Sequence, residues 1–202
     1  NIAIREYRSE LGYLCKMSVR KQITEESGVY FITFTCYKWL PLIEQTRSYD
    51  LVYKWFDYLK TQGHSITGYV IMPNHVHVIV SLKGDSDLNK LVGNGKRFMA
   101  YEIVKRLEEY NQGNILYLLS NDLTDKEISK GQKHRVFEDS FDAKHISTDK
   151  FLQQKLNYIH NNPVSGKWSL VDDFVKYEHS SASFYELDEV KHFKPFHYLD
   201  IA

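Results

Sequence analysis

The sequence predicts one α+β domain built around an antiparallel sheet. Three observations lead there. Segments rich in β-branched and aromatic residues alternate with segments of helical apolar spacing, in the order strand, helix, strand, strand, helix. The two central strands are joined by the short turn Pro73-Asn74, which makes them an antiparallel hairpin. The chain of 202 residues is 43% hydrophobic and 14% aromatic, ample for the core of a single domain.

Each element has its own signal. Gly28 to Cys36 (GVYFITFTC) reads as the first strand. Arg47 to Gln62 sets Leu51, Val52, Trp55, Phe56 and Leu59 at helical spacing. Ser65 to Met72 and His75 to Leu82 are the second and third strands, and Lys83-Gly84-Asp85 closes the hairpin. From Asp87 to Tyr110, Leu88, Leu91, Val92, Met99, Ile103 and Leu107 line one side of a helix. Gly93-Asn94-Gly95 interrupts it and leaves room for a break, since each interior glycine costs about 1 kcal/mol relative to Ala. Residues 111–133 are polar, a loop with a short helix near 115–119, and 136–146 is strand or extended chain. Asp149 to Asn161 is a helix with Ser147 or Thr148 as its cap and Phe151, Leu152, Leu156 and Ile159 as its apolar side. Pro163 ends it, because the residue before a proline is driven out of the helical region.

Composition excludes several classes. No stretch of 18 apolar residues exists, so a membrane span is not expected. The start lacks the apolar stretch of a signal peptide. Two cysteines, Cys15 and Cys36, cannot build a disulfide framework or a cysteine zinc site, which points to a reduced, cytoplasmic setting. Net charge is zero, 26 bases against 26 acids, but it is unevenly spread: 171–202 holds 7 acids and 3 bases, leaving 23 bases and 19 acids before it. A mildly basic body of this kind is compatible with a phosphate-containing partner.

The chemistry concentrates in two places. In Met72-Pro-Asn-His-Val-His77 the two histidines stand at i and i+2 of a strand, so they share one face about 7 Å apart at Cα, a spacing that can grip one divalent ion. Two half-buried structural histidines are the alternative. A three-histidine nucleotidyl hydrolase pattern fails at Ile79, and a His-x-His-x-Asp-His binuclear pattern fails at Ile79 and Val80. The pair therefore needs help from elsewhere. Tyr158-Ile-His-Asn-Asn162-Pro-Val164 offers it: Tyr158 and Asn162 are i and i+4 on a helix. Asn162 carries a hard carbonyl oxygen suited to Mg²⁺ or Mn²⁺. Tyr158 is a nucleophile only when its proton is removed or its target polarised; otherwise it is one of 15 packing tyrosines. Gly93-Asn-Gly-Lys96 fails as a phosphate loop, because Lys90 and Arg97 stand where glycine and Ser or Thr are needed. Lys96, Arg97, Lys105 and Arg106 are candidate phosphate contacts, against the alternative of a solvated helix face. His160 is expected to face away from the metal, and Lys155 to be solvated.

Taken together, the histidine strand, the tyrosine segment and Tyr177-Glu-His-Ser-Ser-Ala-Ser-Phe-Tyr185 resemble the single-tyrosine HUH transposases, most of all the REP-associated tyrosine transposases. The resemblance runs from about Gly28 to Tyr185. It implies a ferredoxin-like α/β sandwich whose central antiparallel sheet carries the His-hydrophobe-His pair. It implies His75, His77 and Asn162 as ligands of Mg²⁺ or Mn²⁺, and Tyr158 as nucleophile. The implied activity is cleavage and rejoining of single-stranded DNA, with hairpin or palindromic elements, through a 5′-phosphotyrosine intermediate. The implied setting is the cytoplasm of a bacterial-type cell, with the protein a monomer or a homodimer. The expected organisation is an N-terminal extension (1–27), a catalytic domain (28–185) and a C-terminal tail (186–202). A domesticated, non-catalytic single-stranded DNA-binding protein and a structural metal-binding domain are the rival readings.

Overall fold

A computed structural model describes residues 27–84, 86–166 and 168–201. Cys15 and nearly all of the expected extension (1–27) lie outside them. The order is β1 (Gly28–Thr35), α1 (Leu42–Gln45), α2 (Tyr49–Thr61), β2 (Ser65–Ile71), β3 (His75–Leu82), α3 (Leu88–Glu109), α4 (Gly113–Asn121), α5 (Asp125–Ser129), β4 (Asp142–Ile146), α6 (Asp149–Asn161) and α7 (Ala182–Leu187), with short 3-10 turns between. The sheet runs β2-β3-β1-β4 with every neighbouring pair antiparallel. Together with the βαββαβ succession this is the ferredoxin-like arrangement. No helix among the described residues is long and apolar enough to cross a membrane.

Strand alternation gives the sheet two different faces. Tyr30, Ile32 and Phe34 of β1 and Val76, Val78 and Val80 of β3 face one way, into a core closed by Leu51, Trp55 and Phe56 of α2 and by Val92, Met99 and Ile103 of α3. Phe31 and Ile79 face the other way and pack with Leu152, Leu156 and Ile159 of α6. Two glycines set the approach distances. A Cβ on Gly95 would stand 2.4 Å from the Trp55 indole, and one on Gly68 would stand 2.4 Å from Leu156 Cδ2. The break for which Gly93–Gly95 left room is absent: α3 is continuous, and Gly95 lets it lie flush against Trp55.

Two further expectations change. The 111–133 stretch forms two helices, the second opened by a Thr124–Glu127 capping box. The segment after residue 185 is not a free tail. Phe193 enters the main core, its carbonyl accepts from the Tyr69 hydroxyl at 3.1 Å, and Phe196 N donates to Ile66 O. Upstream of it, Ile71 N donates to His179 O and Ser181 N to Tyr69 O. The Ser-Ser-Ala segment and the residues after it therefore cover the open edge of β2, satisfying backbone groups that an exposed edge would leave unpaired.

Candidate active site

The strand face that carries α6 also carries the histidines. Thr33 lies opposite His77 on one side and Asp142 on the other, so His77, Thr33 and Asp142 form one row across the sheet. His75 and His77 have ring centroids 4.7 Å apart and are 4% and 5% exposed. Burial lowers both: His75 is pushed down to about 4 and His77 well below the usual imidazole range, with His75 and Lys155 adding to the shift at His77. Both imidazoles are neutral at physiological pH, the form that binds metals.

A second layer holds each ring. Asn74 Nδ2 donates to Trp39 O at 2.9 Å, which turns Asn74 Oδ1 toward His75 Nδ1 at 2.6 Å. His75 Nδ1 is therefore the protonated nitrogen and Nε2 keeps its lone pair. His77 Nδ1 lies 2.7 Å from Thr33 Oγ1. This is the outer shell that metal-ligating histidines use to fix tautomer and ring orientation.

Helix α6 brings up the remaining groups. Thr148 caps it, accepting from Phe151 N at 3.2 Å, and Asp149 suits the positive end of the dipole. Leu152, Leu156 and Ile159 seat it on the sheet, so Lys155, Tyr158 and Asn162 lie along its flank. The Tyr158 ring lies 5.2 Å from the His77 ring and 5.9 Å from Phe31. The Asn162 side chain lies near both His75 and Tyr158 and favours the charged form of each. Burial raises the Tyr158 phenol and Asn162 opposes that rise, so the hydroxyl is protonated at neutral pH. Tyr158 is nevertheless 49% exposed, open to a macromolecular partner.

His75, His77, Tyr158 and Asn162 thus converge. No trio of His, Cys, Asp or Glu suited to a metal occurs among the described residues. His160 does face away: it is buried and bonded to Ser181 Oγ at 2.9 Å. The four basic candidates do not form a single surface. Lys96 turns inward, donating to the carbonyls of Glu138 at 2.6 Å and Asp139 at 3.2 Å, and burial pushes it down to about 8. Arg106 holds both carboxylate oxygens of Asp50, at 2.8 and 2.9 Å. Arg97 and Lys105 are exposed, but α3 lies across the sheet from the histidines. Sequence reading missed Asn74 and Thr33. Asn74 was legible only as a turn residue, and Thr33 would have required the β1–β3 register.

Comparison with known proteins bears on the fold and on part of the chain. Residues 28–118 match the family of IS200-like transposases. The matched part carries both histidines but stops before Tyr158. A solved REP-associated tyrosine transposase bound to a REP hairpin superposes with a TM-score of 0.57 at 18% identity, covering 89% of this chain and 93% of that one. The two share a fold. A Deinococcus radiodurans R1 protein provisionally named a transposase aligns with a TM-score of 0.41 at 12% identity, over 71% of this chain and 97% of that one. No curated protein matches the sequence.

Proposed function

We propose that this protein is a transposase-type, metal-dependent strand transferase acting on single-stranded DNA, with Tyr158 as its nucleophile. The observation that carries the reading is the convergence of a buried histidine pair, an accessible tyrosine whose ring lies 5.2 Å from His77, and Asn162, whose side chain acts on both His75 and Tyr158. The donor set fits a hard divalent ion, two neutral imidazoles with their outer nitrogens engaged and one amide oxygen. His75, His77 and Asn162 would hold Mg²⁺ or Mn²⁺, which would supply Lewis-acid polarisation of a phosphodiester. The chain's own part is positioning. Leu156 and Ile159 fix α6 on the sheet, which holds the Tyr158 ring beside His77. In the transfer, a bond forms between Tyr158 Oη and phosphorus and the P–O3′ bond breaks. The phenolic proton passes to solvent, and the departing 3′ oxygen takes one up to become a hydroxyl. The 5′-phosphotyrosine conserves the bond energy, so attack by a 3′-hydroxyl rejoins the strand.

Hairpin-containing DNA is the substrate class this reading favours. Its support is the motif resemblance together with the shared fold of a relative solved on a REP hairpin. The test mixes the protein, Mn²⁺ and a labelled single-stranded hairpin, and looks for a denaturation-resistant adduct. Wild type should form it. Tyr158→Phe should bind the hairpin with unchanged affinity and form none. Binding without an adduct in wild type would instead identify a non-catalytic DNA-binding protein, and an adduct surviving in Tyr158→Phe would name another nucleophile.

A further inference from the structure

Lys155 precedes Tyr158 by three positions on α6. Its ammonium rests 4.7 Å from the Phe31 ring centroid, 5.4 Å from Phe151 and 5.3 Å from Tyr158. Among the described residues it forms no hydrogen bond and no ion pair. Asp142 and Lys144 of β4 contribute charge at longer range, the one favouring and the other opposing its positive form. The β1–β4 register puts Asp142 beside Thr33 and Lys144 beside Phe31, on the histidine face. A solvated lysine, the expectation from sequence, would have its flexible stem in water. Here three aromatic faces hold it, and one of them is the ring of Tyr158.

We propose that Lys155 is a substrate-contacting cation that binds the phosphodiester attacked by Tyr158. The inference rests on the strand-transfer reading above and adds a residue to it. The arrangement is that of a charge held ready. Rings attract an ammonium through their faces while leaving its three N–H donors without acceptors. A phosphate delivered to the Tyr158 hydroxyl brings oxygen acceptors within reach of those donors. Its non-bridging oxygens gain charge as the Tyr158 oxygen adds, and a cation already in place stabilises that change without reorganising. Phe31 connects the parts: it stacks on His77 at 5.5 Å, meets Tyr158 edge-on, and carries the Lys155 ammonium over its ring.

The test crosses the residue with the charge of the phosphate. Binding is measured by anisotropy in the non-cleaving Tyr158→Phe background, with and without Lys155→Met. The probes are single-stranded hairpins carrying either the normal phosphodiester or a neutral methylphosphonate at the cleavage position. Lys155→Met should weaken binding of the normal strand about tenfold and flatten the salt dependence by about 0.7 in log–log slope. It should leave binding of the methylphosphonate strand unchanged. With Tyr158 present, Lys155→Met should slow adduct formation about 10²–10³-fold, and Lys155→Arg should recover most of it. Equal loss on both strands, with no rescue by Arg, would reduce Lys155 to a packing residue of α6. Unchanged binding and rate in Lys155→Met would also overturn the proposal. If wild type forms no adduct at all, the strand-transfer reading itself fails and this inference falls with it.

Discussion

Gly68→Ala tests the contact on which the tyrosine helix is seated. The new methyl would stand 2.4 Å from Leu156 Cδ2 and 3.7 Å from Ile79 Cδ1. Carbon atoms rest at about 3.5–4.0 Å, so Leu156 has to move by more than about 1 Å. Leu156 is 5% exposed and packed among Phe31, Ile79 and Ile159, which leaves its side chain little room to swing aside. Overpacking of this kind costs about 1–3 kcal/mol. For a domain of this size that is a fall in Tm of roughly 2–12 °C. Leu156 is two residues from Tyr158, so the displacement passes to the nucleophile, and a shift of about 1 Å can cost about 10²-fold in rate. Leu156→Ala alone should destabilise by about 2–5 kcal/mol through the cavity it leaves. The double variant should be less destabilised than the sum of the two by about 1–2 kcal/mol, because each change makes room for the other. Denaturant unfolding and adduct formation read both effects. Strictly additive stabilities, or a Gly68→Ala protein that forms adduct at the wild-type rate, would refute the claim that this contact positions Tyr158.

Two other predictions concern imidazoles. Burial pushes His160 down to about 4 from 6.5, so the folded protein excludes a proton that the unfolded chain takes up between those values. Its contribution to stability is complete above pH 6.5 and is lost as pH falls toward 4, at about 1.4 kcal/mol per pH unit. Urea unfolding across that range should show a shallower pH dependence in His160→Gln than in wild type, and parallel curves would contradict it. For the histidine pair, Mn²⁺ should raise the Tm of wild type and leave that of His75→Ala unmoved. Asn74→Ala removes the acceptor that fixes the His75 tautomer and should weaken Mn²⁺ binding about 10–100-fold. Equal Mn²⁺ stabilisation of wild type and His75→Ala would remove the histidines from the metal site.

How far the sequence could be read depends on the range of the forces involved. β3 was legible to the residue, His75–Leu82, because a strand between a proline turn and a Lys-Gly end is set by local chemistry. Thr148 as cap and Asp149–Asn161 as helix were legible for the same reason. The period of two put His75 and His77 on one face, and the period of 3.6 put Tyr158 and Asn162 on one flank. Each of these inferences is internal to one element. Errors arose where the partner lies far along the chain. Lys96 and Arg97 are adjacent in sequence and equally basic, yet one caps the carbonyls of residues 138 and 139 and the other is exposed. Helical spacing identifies the face of Lys96 but not the loop that arrives over it. Gly95 reads as a helix breaker until Trp55, 40 residues earlier, is set against it.

The two legible halves of the site are joined by features that sequence periodicity does not display. Nothing in the spacing of His75 and His77, or of Tyr158 and Asn162, says that the strand pair and the helix pair face one another. Gly68 permits α6 to approach the sheet, and Phe31 fills the space between Ile79, His77 and Tyr158. On the far side of α6, His160 bonds Ser181, whose backbone in turn pairs with Tyr69 on the edge of β2. The tyrosine helix is therefore held from two directions, by apolar contact beneath it and by a buried polar link behind it. Losing the polar link leaves the buried His160 nitrogen unsatisfied, a penalty of about 1–3 kcal/mol. A change at Ser181, which touches neither histidine of the pair nor Tyr158, should therefore reach the reaction through the position of α6.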